Sequence, residues 1–171
     1  TPLYSSAASD VYKRQGYPGV AKAKVLDTNA CQNIRYYNVQ LAIAPNGGGM
    51  PSALLKRDLA EFLERRKVIT VEINLFDPIY RPVSIDAEVY VWPGEPLENV
   101  RSRIEAALSD FFSFDQVSFG QTIHFSDLVA LIDGVRGVSH MHLYAPQQDI
   151  ELRHGEIPVL GSVNLDLRRA G

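Results

Sequence analysis

One phrase occurs twice in this chain, and each copy dictates the same local geometry. Gly16-Tyr17-Pro18-Gly19-Val20-Ala21-Lys22-Ala23-Lys24-Val25 returns as Gly134-Val135-Arg136-Gly137-Val138-Ser139-His140-Met141-His142-Leu143, a shared pattern of G-x-x-G-V-small-basic-x-basic-apolar. The glycines punctuate and the residues after them alternate, so each copy reads as a tight turn feeding a strand. The second copy follows an apolar helical run, Ser126 to Asp133, making that unit helix, glycine stop, turn, strand. The first copy has no such helix before it, which is the pattern of a chain that begins partway through a structural unit.

The segment Thr1 to Gln15 is polar and aperiodic and is expected to be disordered. Its end, Ser9-Asp10-Val11-Tyr12-Lys13-Arg14-Gln15, resembles a translated sequencing-adaptor scar, so residues 1–15 are read as an adaptor-derived artefact outside the fold, an ordinary flexible arm being the alternative. The chain opens on Thr1 rather than methionine, and Gly16 to Gly171 is expected to be the C-terminal part of a longer protein.

Val20 to Asp27 and Tyr36 to Ala44 alternate as strands, with Tyr37, Val39, Leu41 and Ile43 on one face and a polar turn at Thr28-Asn29, and antiparallel pairing is expected. Pro45-Asn46-Gly47-Gly48-Gly49 then breaks the chain, and Pro51 suits the first turn of a helix. That helix, ending near Arg66, has Leu55, Leu59, Phe62 and Leu63 on one side and Arg57, Glu61 and Arg65 at four-residue steps on another. Ile69, Val71, Ile73 and Leu75 form a strand closed by Asp77-Pro78.

In Val83 to Trp92 every odd position is apolar, giving a core face and an opposite face of Ser84, Asp86, Glu88, Tyr90 and Trp92. A helix follows with Leu97, Val100, Ile104, Leu108 and Phe111 at three- and four-residue steps. Next are expected a short strand within Val117 to His124, a helix capped by Ser126, a strand from Val138 to Tyr144, and a last strand carrying Val163, Leu165 and Leu167, with any bend or bulge placed before it by Pro158 and Gly161. The pattern predicts an α+β fold of two small modules, each a mainly antiparallel sheet with helices on one face. Residues 16–77 form a truncated first module and residues 78–171 the C-terminal one.

Several phrases in this order carry a family resemblance. The helix Pro51 to Arg66 running into Val68-Ile69-Thr70-Val71, the strand Pro82 to Val91, the helix Val100 to Leu108, the stretch Phe119 to Leu128 and the closing Glu156-Ile157-Pro158-Val159-Leu160-Gly161-Ser162-Val163 resemble the C-terminal region of baseplate J-like proteins, over about Gly16 to Leu167. Such proteins are wedge components of contractile phage tails and related injection machines. The resemblance implies a structural, non-enzymatic component of a virion tail baseplate, assembled in the bacterial host cytoplasm. Its partners would be other baseplate subunits and copies of itself, with no cofactor, metal or small-molecule substrate. Such a role needs amphipathic surfaces and sheet edges that partners cover. Glu88, Tyr90 and Trp92, on the nominally polar face of one strand, are the candidate interface residues, because aromatics are enriched at interface centres. Packing of Tyr90 and Trp92 under a local loop or under the missing half is the alternative.

A glycan-cleaving or metal-dependent hydrolase domain of a tail machine is the competing function. Asp86 and Glu88 lie about 7 Å apart along one strand face, near the spacing of inverting glycosidases. A solvated pair of acids is the commoner meaning of that spacing, and a glycosidase needs its acids across a cleft from each other. His140 and His142 also share a face, with His124 and His154 elsewhere, but the first copy of the repeat carries Lys22 and Lys24 at the matching positions, which favours a basic face over a zinc site. Gly47-Gly48-Gly49 leads into Met50-Pro51 and lacks the Lys and Ser or Thr of a phosphate loop. Cys31 sits in a polar turn with no neighbouring His, leaving nucleophilic catalysis unsupported. A carbohydrate-binding module would rest on Tyr90 and Trp92 alone.

Charge and composition narrow the partners. A net charge of -3 and a pI near 5.8 argue against a nucleic-acid surface. A single cysteine permits no intrachain disulfide, and no apolar run reaches the roughly 18 residues of a membrane span.

Overall fold

The computed structural model describes residues 16–26, 38–67, 69 and 71–171. The expectations made for residues 1–15, for the Thr28-Asn29 turn, Cys31, Tyr36 and Tyr37, and for Val68 and Thr70 fall outside the described residues. The chain divides into two compact units. One runs to Ile79 and includes residues 153–156, and the other comprises residues 80–152 and 157–171.

The first unit contains β1 (Val20–Val25), β2 (Asn38–Pro45), helix α1 (Ala53–Glu64) and β3 (Glu72–Phe76). The sheet order is β1-β2-β3. β1 pairs antiparallel with β2, as expected, whereas β2 and β3 run parallel, which requires a crossover, here provided by α1. Leu59 and Leu63 of α1 form the core with Val20, Leu41 and Ile43. Ser52 is the N-cap, its hydroxyl accepting from the backbone N–H of Leu55 at 3.1 Å. Pro51 therefore lies just outside the helix rather than in its first turn, because a serine next to it satisfies a free helical N–H. Ile69, placed in a strand by its alternation, is 98% exposed and precedes β3.

The second unit contains β4 (Ile79–Val91), which starts at the boundary, α2 (Leu97–Phe111), α3 (Phe125–Asp133), β5 (Val138–Ala145) and β6 (Glu156–Arg169). β4 is central in the order β5-β4-β6. β5 pairs with it antiparallel. On the other side Ser84 bonds Ser162 and Asp86 bonds Asn164, pairs that advance together along the two strands, so β4 and β6 run parallel. Both units are α+β, and each sheet is mixed. Val83, Ile85, Ala87, Val89 and Val91 of β4 face a core completed by Val100, Ile104 and Leu108 of α2 and Leu128 and Ile132 of α3. The period-2 and period-3.6 patterns thus meet in one cluster.

Four local features differ from expectation. β4 starts four residues early and includes Pro82, tolerated because the first β5 partner appears only at Asp86. β6 runs unbroken through Pro158 and Gly161. It does so because Gly161 lies against β4, where a Cβ would come within 3.1 Å of the Val83 backbone. The strand expected within Val117 to His124 reduces to one bridge, Ile123 with Ile150. α3 begins one residue ahead of Ser126, with His124 at the N-cap position and no cap bond from its side chain. Asp149 takes that role from a distance in sequence: one carboxylate oxygen accepts from the Phe125 N–H at 2.8 Å and the other meets His124 Nδ1 at 2.8 Å.

The repeated phrase is one turn built twice. Val20 N–H donates to Tyr17 O at 3.2 Å and Val138 N–H donates to Val135 O at 3.1 Å. Gly19 and Gly137 hold the third position of the turn at φ of +93° and +104°, a conformation that only glycine adopts freely. Each turn delivers an edge strand antiparallel to the centre of its sheet.

Candidate interaction face

The helices cover one face of the second sheet, and side chains alone build the other. Because strand residues alternate, Asp86, Glu88 and Tyr90 of β4 point away from the core, and β5 places His142 opposite Glu88 and His140 opposite Tyr90. Tyr90 stacks flat on His140, with ring centroids 4.3 Å apart and an interplanar angle of 9°. His142 meets Tyr144 edge-on at 4.6 Å.

Glu88 is the hub of this face. Expected on a solvated surface, it is only 9% exposed. Its carboxylate accepts from the Tyr90 hydroxyl at 3.0 Å and the Tyr144 hydroxyl at 2.9 Å, and Arg168 of β6 pairs with it at 2.6 Å. Arg168 also bonds Asp166 at 2.8 Å. The Tyr144 and Tyr90 hydroxyls hold the Glu88 carboxyl below the usual carboxylate range, and the Arg168 charge adds to them against the opposing effect of burial. Glu88 raises the Tyr144 phenol in return. Such a shift stabilises the fold at neutral pH, and that contribution is lost as pH falls through the lowered Glu88 value. Replacing Glu88 by Gln should therefore bring the Tyr144 phenol back down toward the ordinary tyrosine range. Ultraviolet titration of the variant against the parent checks this, and an unchanged Tyr144 titration would remove Glu88 as the cause.

The other sequence-selected residues lie as follows. Asp86 accepts from the Asn164 amide at 3.1 Å on the same face, so neither acid of the supposed catalytic pair is free. Trp92 lies just past the end of β4, its N–H bonded to Gly137 O at 3.0 Å and its residue 56% exposed. His124 is engaged by Asp149, which raises its pKa by hydrogen bonding and charge, and His154 is exposed in the first unit. Among the described residues no three His, Cys, Asp or Glu side chains are placed to hold a metal ion. Gly47, Gly48 and Gly49 form a turn at positive φ after β2. Among the described residues no helix is long and apolar enough to cross a membrane.

Sequence reasoning singled out Glu88 and Tyr90 but missed Tyr144 and Arg168, which complete the hub. Their signal is the outward parity of β5 and β6, readable only once the strands are paired.

Residues 83–166 match the family model of the baseplate J-like protein C-terminal domain. No curated protein matches the chain. Its fold is similar to that of a chain in the cryo-EM structure of the anti-feeding prophage (AFP) baseplate, 6-fold symmetrised, with a TM-score of 0.65 at 15% identity. The likeness covers 91% of this chain and 36% of that one, so the chain spans about a third of that relative's length.

Proposed function

Because residues 83–166 carry a baseplate J-like C-terminal domain, we propose that the chain is a structural component of a contractile tail or tail-like injection machine, working in the baseplate through contacts with other baseplate subunits and with copies of itself. The family match carries this reading. The chemistry of the outward sheet face supports it, because each group there that might act in catalysis already has a partner. Glu88 is held ionised by two hydroxyls and a guanidinium, Asp86 is bonded to Asn164, and His140 is stacked on Tyr90. The role is accordingly non-enzymatic, located in the particle's baseplate and assembled in the host cytoplasm. The hydrolase alternative finds no support at the residues it needs. Trp92 is the exposed aromatic suited to a partner contact, with Glu88 and Tyr90 setting the shape of the face beside it.

The test is incorporation. Expressed together with the remaining genes of a contractile-tail particle, the tagged chain should sediment with assembled particles. The Trp92→Asp variant should keep its thermal stability to within about 0.5 kcal/mol, as exposed substitutions do, yet incorporate several-fold less. A parent chain absent from purified particles would refute the role. A Trp92→Asp variant that incorporates as well as the parent would refute the interface assignment.

A further inference from the structure

Asn46 is the one asparagine of the chain that is followed by glycine, and the fold leaves both reactive groups of that pair untied. Pro45 to Gly48 make a type II turn at the end of β2: Gly48 N–H donates to Pro45 O at 3.1 Å, and Gly47, third in the turn, has φ of +80°. In such a turn the peptide between the second and third residues stands across the chain, so the Gly47 N–H is not used in closing it. Among the described residues no partner bonds that N–H or the Asn46 side-chain amide. Both residues are exposed, and a Cβ at Gly47 would meet no atom within 4 Å, so the space around the nitrogen is open. The comparable sites are closed. Asn38, Asn74, Asn99 and Asn164 precede Val or Leu. Asn74 and Asn38 bond each other at 3.0 Å, Asn164 is held by Asp86, and the nitrogen after Asn99 donates to Pro96 O at 3.2 Å. Asp133 also precedes a glycine, but Gly134 N–H is tied to Ala130 O at 3.0 Å.

We propose that Asn46 is a site of spontaneous modification in the folded protein, its side chain cyclising onto Gly47 and reopening as aspartate or isoaspartate. The chemistry needs only water and is independent of the baseplate reading. The Gly47 nitrogen gives up its proton to water or hydroxide and attacks Cγ of Asn46. The new N–Cγ bond closes a five-membered succinimide, the Cγ–Nδ2 bond breaks, and Nδ2 leaves as ammonia. Water then opens the ring at either carbonyl. Opening at Cγ restores the backbone with aspartate at 46, whereas opening at the α-carbonyl routes the backbone through the side chain as isoaspartate. Either product adds one negative charge to a chain whose net charge is -3. A glycine at 47 is what makes ring closure accessible, because the residue after the asparagine must change its backbone angles and carries no side chain to resist. The turn also touches the first copy of the repeated phrase, since Asn46 N–H donates to Gly19 O at 3.1 Å. The extra backbone atom of isoaspartate lengthens the segment between that bond and the Gly48 bond to Pro45, so it loosens the turn where aspartate only charges it.

Peptide mapping by mass spectrometry tests this on the whole folded chain, aged at mildly alkaline pH beside the same chain unfolded in urea. The peptide holding residues 46 and 47 should convert from amide to acid in the folded chain at a rate within a few-fold of that in urea. It should appear as two isomers of equal mass, one of them labelled by a protein isoaspartyl methyltransferase. Asn74 and Asn164 should keep their amides in the folded chain. On isoelectric focusing the aged chain should gain a band that runs with unaged Asn46→Asp, and Asn46→Gln should lack it, because closing a six-membered ring is far slower. Retention of the Asn46 amide in the folded chain overturns the proposal, whether or not the unfolded chain loses it. Acid at position 46 with no isoaspartate would mean direct hydrolysis and overturns the cyclisation. An undiminished acidic band in aged Asn46→Gln would place the reaction at another residue and overturns the assignment.

Discussion

Replacing Gly137 by valine should destabilise the fold by on the order of 3 kcal/mol or more, because two independent costs fall on one residue. The backbone there has φ of +104°, which a β-branched side chain avoids. In addition, the added Cβ would sit 2.7 Å from Cγ2 of Val100, a fully buried residue of α2. The repeated turn supplies an internal control. Gly19 has nearly the same φ, +93°, but its Cβ would meet only the Cδ1 tip of Leu55, at 3.2 Å. Alanine scanning of the two glycines separates strain from packing: both alanine variants bear the strain, and Gly137→Ala should be the more destabilised in chemical denaturation. Equal losses at the two sites would mean that the Val100 contact relaxes and backbone strain dominates.

That contrast also shows where the sequence was legible. Each turn could be read from Gly-x-x-Gly-Val, because a positive φ at the second glycine is a local requirement met by a local residue. β4 was legible for a similar reason: Val83, Ile85, Ala87, Val89 and Val91 all reach the core. The amphipathic stripes of α1 and α2 were legible too. What lay hidden was every feature that depends on which strand neighbours which. Alternation says that a residue faces outward but not what stands beside it. The parallel pairings of β2 with β3 and of β4 with β6 were therefore not visible, and the sheets are more mixed than alternation suggests. For the same reason Glu88 read as a solvated acid, although Tyr144, 56 positions away, reaches it with a hydroxyl. The start of α3 was misread at Ser126 because its N–H acceptor, Asp149, lies 24 residues downstream.

The largest single-residue loss through packing is expected at Ile104. Truncation to alanine should cost about 2–5 kcal/mol, the range for removing a large buried aliphatic side chain whose cavity fills only partly. For a domain of this size that corresponds to a drop in Tm of roughly 8 °C or more. Ile104 is fully buried in the cluster shared by β4, α2 and α3. A shrunken side chain there takes dispersion contacts from several elements together, and interiors packed near crystal density do not close the gap for free. Its chain neighbour Glu105 points outward and is exposed, so Glu105→Ala should stay within about 0.5 kcal/mol. Thermal unfolding of the two variants against the parent checks the pair. If Ile104→Ala unfolded at the parent temperature, the core that joins the central strand to both helices would not be holding this sheet.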